Sequence, residues 1–554
     1  NNYDAVTIKP NSSSIYKQTL KLKNANLWSA ERPYRYTLVG ELKDNKNKTI
    51  ETISTNVGFR KVEIKETKAE DDEFGLAGRY FYVNGKTVKL KGVNRHETNP
   101  EKGKVVSREQ MIEEIKLMKR ANINHVRNSH YPDDPYWYYL CDKYGIYLED
   151  EANLESHQYY YGEASISHPK EWKDAHVARN VEIVHATINH PSIVIWSLGN
   201  EAGPGNNFVE AYNAIKKIDT SRPVQYERNN AIVDMGSNQY PSINWVRGAV
   251  QGNYKLKYPF HISEYAHGMG NAAGNLIDYW EAMESTNFFM GGAIWDWVDQ
   301  AMYYYDKDTG EKFLAYGGDF GDKPNDGTFV NNGLVFADLK EKPAYWEVKK
   351  VYQNIGVKPA NILNGEIEIF NKNYFISLED YTPEWALYED GIEIERSSAF
   401  IGPKKIIGPR EKQIVRLPIN QAKLKPTSEY FVKVQFKLNK DQLWAKKDFV
   451  QMEEQIFVKA SEKIPSIEEV QKSNQVTVTD TKKIKTITGN NFVAKFDNQT
   501  GTIYSLNYNN QTIIKDGDGP KLDGYRAPTD NDNWAYQQWF QKGIHNLKHK
   551  ALSS

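Results

Sequence analysis

Between residues 80 and 350, eight short apolar runs alternate with longer segments of helical period. The runs are TVKLKGV, INHVRN, GIYLEDE, SIVIWSL, PVQYE, VDMGSN, FHISEY and GGAIWDWV. Of all the patterns in the chain, this one constrains the fold most. Short runs that are apolar on both faces suit parallel strands covered by helices. Eight is the number that closes a (β/α)8 TIM barrel. The connecting segments agree. In SREQMIEEIKLMKRAN, Ser107 and Gln110 form an S-x-x-Q capping box, and Met111, Ile112, Ile115 and Met118 share one face. WKDAHVARNVEIVHATINH reads as a second helix, ending before Pro191.

At 554 residues the chain is too long for one core, and about three or four domains are expected. Residues 1–62 alternate apolar and polar positions between Asn/Lys turns and read as part of an immunoglobulin-like β-sandwich. Residues 63–354 take the barrel. Alternation returns over 355–460 (EIEIFNKN, WALYEDGIEI, KQIVRLPI, EYFVKVQFKL), which reads as a second such sandwich. Residues 461–554 read as a linker and the beginning of a further β domain. The fold class is therefore multidomain, α/β plus all-β.

Lys+Arg (71) and Asp+Glu (72) nearly cancel, so no net field favours nucleic acid or an anionic membrane as partner. No apolar run is long enough for a membrane-spanning helix. The lone cysteine, Cys141, excludes an intrachain disulfide and reads as a core residue of the helix WYYLCDKYG. One cysteine suits a cytoplasmic or a periplasmic protein alike. The chain begins with Asn1, no signal peptide is expected within it, and a longer parent chain is expected. Its 36 tyrosines and 13 tryptophans suit core packing and also the flat faces of sugar rings.

Polar residues gather at the C-terminal ends of the strand candidates, where barrel active sites lie. In order they are Asn94–Glu97, Arg127 and His130, Asp150, Glu151, Glu155 and His157, Asn200 and Glu201, Glu227, Tyr240, Glu264 and His267, and Trp295–Trp297. Asp150, Glu151 and Asp296 read as helix caps or ion-pair members. Glu201 ends the fourth strand and Glu264 the seventh. Strands three apart in an eight-stranded barrel face each other across its mouth. Two carboxyl groups so placed are what glycoside hydrolysis requires: one protonates the leaving oxygen, and in retaining enzymes the other attacks the anomeric carbon. Gly199, Gly203 and Gly205 are expected to let the backbone turn after the fourth strand, with Pro204 stiffening the exit.

The motifs GVNRHETNP, VRNSHYPDDPYWYYLCDKYGIYLEDEANLESH, HPSIVIWSLGNEAGPGN, SEYAHGMGN, GGAIWDWVDQ and YGGDFGDKPND…NNGLVFAD resemble the bacterial β-galactosidases of glycoside hydrolase family 2. The likeness runs from LWSAERPYRYTL to RAPTDNDNW, nearly the whole chain. It implies a retaining exo-acting enzyme that removes terminal β-D-galactose. Glu264 matches the nucleophile and Glu201 the acid/base. Asn200 would bond the sugar 2-hydroxyl, and Tyr240 would stand beside the nucleophile. His96, His130, His267 and Trp295 would line the galactose pocket, and Arg127 would support Glu264. An acid/base carboxyl needs a raised pKa in the free enzyme, whereas a nucleophile must stay ionised.

The same resemblance implies a divalent ion, Mg²⁺ or Mn²⁺, on Glu155, His157 and Glu201. It also implies Na⁺ or K⁺ on Asn332 and the Phe329 carbonyl, with a further ligand from a domain not in this chain. Members of the family commonly form homo-oligomers. Against the family's full length, the chain reads as truncated at both ends, beginning inside the first sandwich and ending early in the small-chain-type β domain. This segment alone is therefore expected to be weakly active or inactive beside the full chain. Comparable kcat/KM for the two on a nitrophenyl galactoside would refute that. SHQYYYGEASISHP and QYERNNAIVDMGSNQYPSINWVRGAV differ from the lactose-cleaving relatives, which leaves the aglycone open. Two alternatives remain at this point: a sister exo-glycosidase of β-glucuronidase or β-mannosidase type, and a catalytically weak carbohydrate-binding fragment.

Overall fold

The computed structural model describes residues 7–17, 19–157, 164–270, 272–402, 406–460, 476–529, 532 and 535–552. Eight parallel strands form one sheet: β1 (Leu90–Arg95), β2 (His125–Asn128), β3 (Tyr147–Glu151), β4 (Ile193–Ser197), β5 (Val224–Gln225), β6 (Gly236–Gln239), β7 (Phe260–Tyr265) and β8 (Phe289–Ile294). Their order is β6-β7-β8-β1-β2-β3-β4-β5. Each expected apolar run thus supplies one strand, and the sheet curls into a nearly closed barrel of the TIM type. Every residue of β1 to β5, β7 and β8 is buried. That burial on both faces is why these strands read as apolar runs rather than alternations.

Helices cover the sheet. Ser107 caps the helix Arg108–Arg120 by accepting from the Gln110 N–H at 3.2 Å. The reciprocal half of the capping box is missing. The Gln110 side chain instead donates to the Thr98 carbonyl at 2.7 Å and to Glu114, which reaches back to Arg95 at 2.7 Å. Met111, Ile115 and Met118 face the core as the periodicity requires, with Leu117 beside them, while Ile112 is only partly buried. Cys141 is buried in the helix Pro135–Tyr144.

The chain divides into two compact units. One holds the chain up to Tyr388 with Glu393–Ile419 and Phe431–Phe457. Besides the barrel it contains the antiparallel pair Tyr36–Lys43 and Thr49–Val57, and an antiparallel three-stranded sheet of Ile355–Asn361, Glu366–Asn371 and Lys412–Arg416. The other unit takes Glu389–Ile392, Asn420–Tyr430 and the chain from Val458. Its main feature is a five-stranded antiparallel meander running from Thr477 to Ile514. Residues 461–475, where the sequence reads as a linker, lie outside the described residues, as do 158–163 within SHQYYYGEASISHP.

Candidate active site

The strand ends converge on one buried arginine. Arg127, in β2, lies inside the barrel with no exposed surface. Its guanidinium donates to Glu151 Oε2 (2.8 Å), Asn94 Oδ1 (3.0 Å), Glu264 Oε1 (2.8 Å) and Asn200 Oδ1 (2.9 Å). These acceptors come from β3, β1, β7 and the turn after β4, so a single side chain gathers four walls of the mouth.

Glu264 is 4% exposed. Its Oε1 accepts from Arg127 and from Gln239 Nε2 (2.9 Å), and its Oε2 accepts from Tyr240 Oη (2.9 Å). Burial alone would raise its pKa. The Arg127 charge, His130, and the bonds from Arg127 and Tyr240 outweigh burial and hold the carboxyl below its ordinary value. Gln239 and Tyr240 are adjacent, and in a regular strand they would point to opposite faces. A positive φ of 48° at Tyr240 breaks the alternation and brings both onto Glu264.

Glu201 sits on the other side of Asn200. The Asn200 oxygen accepts from Arg127 and from Gln239 (2.9 Å), and its amide donates to Glu155 Oε1 at 3.0 Å. Glu201 Oε1 pairs with Arg228 at 2.9 Å, and Oε2 lies 2.9 Å from His157 Nδ1. The turn that presents it is tight. Gly199 has φ of 148°, and a Cβ there would stand 2.5 Å from the Leu154 carbonyl oxygen. Gly205 plays a different part from the one expected. Its φ is an ordinary −70°, and glycine is needed there because a Cβ would meet the Ser167 carbonyl at 2.2 Å.

Glu227 lies behind Glu201 and accepts from the Glu201 backbone N–H at 3.1 Å. Burial pushes its pKa up to about 7 against the pull of Arg127 and Arg228. Glu151, read from sequence as a cap or ion-pair member, pairs inside the site: it accepts from Arg127, from Ser197 Oγ (2.6 Å) and from His130 Nδ1 (2.8 Å). Asp150 points away, accepting from Tyr138, Asn128 and Thr187.

Rings form one wall. His130 stacks on Trp295 with centroids 5.1 Å apart, and His96 meets both edge-on at 5.7 and 5.4 Å. His267 packs against Tyr240 and Phe329 at 5.8 and 5.4 Å. Such faces suit the apolar side of a pyranose.

Two places have the donor chemistry for the expected cations. His157 Nδ1 lies 2.9 Å from Glu201 and 3.6 Å from Glu155. Two carboxylates and one imidazole at the open rim match a divalent ion that keeps several waters. Asn332 is buried, its amide donates to the Phe329 carbonyl at 2.7 Å, and its Oδ1 has no hydrogen-bonding partner among the described residues. The unpartnered Asn332 oxygen suits an alkali ion, while the Phe329 carbonyl is taken by the Asn332 amide.

Of the residues singled out from the sequence, the structure brings together Glu201, Glu264, Arg127, Asn200, Tyr240 and the ring residues. Gln239, Arg228 and the inward place of Glu151 were not among them. Gln239 had a visible signal, its place beside Tyr240 in SNQYPS. Arg228 follows Glu227 at the end of β5 but carries no motif of its own.

Family models match along the chain: the TIM barrel domain of glycosyl hydrolases family 2 over residues 74–357, β-galactosidase domain 4 over 367–459, glycosyl hydrolases family 2 over 2–60, and β-galactosidase small chain over 488–554. A β-galactosidase of Priestia megaterium is 38% identical over 523 residues, covering 92% of this chain and 48% of that protein. One of Psychromonas ingrahamii is 34% identical over 551 residues, covering 94% and 51%. The chain spans about half the length of the curated relatives it matches. Among solved structures, a β-glucuronidase from Ruminococcus gnavus in complex with a C6-substituted uronic isofagomine aligns with a TM-score of 0.46 at 20% identity, over 60% of this chain and 59% of that one.

Proposed function

Because this chain belongs to glycosyl hydrolases family 2, we propose that the protein is a retaining exo-β-galactosidase working by double displacement. The observation that carries the reading is the state of Glu264: buried, yet held ionised by Arg127, Gln239 and Tyr240 and tied through Asn200 to the turn bearing Glu201. A buried carboxylate kept charged in this way is a nucleophile awaiting an electrophile.

In the first step Glu264 attacks the anomeric carbon, and the bond to the leaving oxygen breaks as Glu201 gives that oxygen its proton. In the second step water attacks the same carbon, Glu201 takes a proton from it, and Glu264 departs as carboxylate. Asn200 would bond the sugar 2-hydroxyl with its remaining amide hydrogen. His96, His130, His267 and Trp295 would bound the galactose. Glu155, His157 and Glu201 would hold Mg²⁺ or Mn²⁺, and Phe329 and Asn332 would contribute to Na⁺ or K⁺ binding. A divalent ion there supplies positive charge that favours the carboxylate form of its ligands. No organic cofactor is needed for either step. The β-galactosidase names of the relatives support galactose as the sugar.

The test is a 2-fluorogalactoside on the full-length protein, followed by peptide mapping, beside a panel of nitrophenyl glycosides. The label is expected on Glu264, with the galactoside turned over fastest. A label elsewhere sinks the assignment of the nucleophile, and fastest turnover of the glucuronide or mannoside sinks that of the sugar.

A further inference from the structure

Below the active site, the barrel interior gathers three side chains that the glycosidase reaction does not use. His125 opens β2, Glu149 is central in β3 and His261 follows Phe260 in β7. All three are fully buried, and one ligand atom from each lies within 4.8 Å of the others. We propose that they hold a transition-metal ion, Zn²⁺ by ligand chemistry, inside the barrel.

The spacing fits an ion better than it fits hydrogen bonds. His125 Nε2 and His261 Nδ1 each lie 3.7 Å from Glu149 Oε2. That is too long for a hydrogen bond. Ligands about 2.1 Å from a tetrahedral ion stand roughly 3.4 Å apart.

The surrounding bonds fix what these atoms present. His125 Nδ1 donates to the Tyr147 carbonyl at 3.1 Å, which leaves a lone pair on Nε2. Gln225 Nε2 donates to Glu149 Oε1 at 2.6 Å, which leaves Oε2 facing the imidazoles. His125 Nε2, Glu149 Oε2 and both ring nitrogens of His261 have no hydrogen-bonding partner among the described residues. Burying converging acceptors with nothing to accept is unfavourable, and a cation between them would satisfy all three groups at once. Outer bonds that orient a ligand's far atom are the usual support of a metal site.

Charge points the same way. Arg127 is the cation shared by Glu149, Glu151 and Glu264, at 3.7, 2.7 and 2.8 Å. Even with His130 protonated beside Glu151, three carboxylates face two positive groups. That excess of negative charge favours a cation next to Glu149. The fold also leaves space for the histidine: a Cβ on Gly92 would stand 2.4 Å from the His125 ring. Two imidazoles and one carboxylate select zinc-like ions over magnesium, unlike the oxygen-rich set at the rim.

A site so enclosed would fill as the chain folds, so the full-length protein is grown with Zn²⁺ or Co²⁺ supplied and then dialysed at length against EDTA. About one retained ion per chain is expected, with the visible bands of four-coordinate Co²⁺ in the cobalt form, and with loss of the ion in Glu149→Gln and His261→Leu. Anomalous scattering from wild-type crystals covers the case in which these variants fail to fold, and is expected to place the ion between the two histidines. Wild-type protein that retains no transition metal from either growth overturns the proposal. So does an ion that survives in a folded His261→Leu variant or scatters from elsewhere.

Discussion

Glu264 and Glu201 carry the same side chain and occupy opposite surroundings. Glu264 lies behind a closed set of donors from Arg127, Gln239 and Tyr240. Glu201 stands at the rim, between Arg228 and a His157 whose side chain is 66% exposed. A nucleophile must be charged before substrate arrives, and burial opposes that unless donors are already aimed at it. A proton carrier must trade protons with leaving group and water in each cycle, so it gains from the edge. The contrast comes from the backbone: β7 delivers Glu264 from inside the barrel, whereas Glu201 lies beyond the end of β4 on a turn with a positive φ of 41°.

The largest effect should come from breaking the inner side. Glu264→Gln in the full-length protein is expected to lower kcat on the order of 10⁶-fold, as loss of a nucleophile does. Breaking the outer side should be milder and depend on substrate. Glu201→Gln is expected to cost about 10²–10⁴-fold on galactosides with poor leaving groups, and little in the first step on dinitrophenyl galactoside, whose leaving group needs no proton. Equal losses on both substrates would put the two carboxyls in the wrong roles.

Glu227 sharpens the comparison, because it is buried like Glu264 and lacks an equivalent set of donors. Its Oε2 has no hydrogen-bonding partner among the described residues, and its pKa rises to about 7 through burial. A folded value above the ordinary 4.5 means that the folded state holds the extra proton. The stability it contributes is full below 4.5 and is lost as pH rises towards about 7. That slope amounts to about 3 kcal/mol at most. Glu227→Gln is expected to flatten the urea midpoint across this window, and a midpoint with unchanged pH dependence would show that Glu227 does not carry the proton. Chelation probes the rim in turn. EDTA is expected to lower kcat/KM about 10–100-fold, restored by Mg²⁺ or Mn²⁺, while leaving the 2-fluorogalactoside label on Glu264.

These contrasts were unevenly legible in the sequence. The barrel could be read because strands buried on both faces leave apolar runs such as SIVIWSL, and because each run ends in polar residues where substrate would lie. Glu201 and Glu264 stood in long motifs. Of the partners that separate their behaviour, Arg127 and Tyr240 were legible too, whereas Arg228 and Gln239 were not. Arg228 reaches Glu201 from the turn after β5, and Tyr240 joins Gln239 on Glu264 only because its positive φ breaks the strand's alternation. The capping box at Ser107 read as reciprocal, yet Gln110 found the Thr98 carbonyl and Glu114, a tertiary arrangement that no local pattern encodes. His125, Glu149 and His261 were equally hidden, since they lie in three separate strands and only closure of the sheet brings them together.

The smallest effect tests how the donors around Glu264 divide their work. Tyr240→Phe removes one bond from Oε2 and leaves Arg127 and Gln239 on Oε1. A hydrogen bond to a charged group contributes about 1.5–3 kcal/mol, enough to move a pKa by about one unit. Glu264 titrates below its ordinary 4.5 in the folded protein, so the stability it contributes is full above 4.5 and is lost as pH falls through the folded value. Without Tyr240 the folded value rises towards 4.5 and that loss begins at a higher pH. The acid limb of kcat/KM is therefore expected to move up by about one pH unit, with a roughly tenfold loss at the optimum. An acid limb that stays in place, with the same loss of rate, would mean that Tyr240 acts on the sugar rather than on the charge of Glu264.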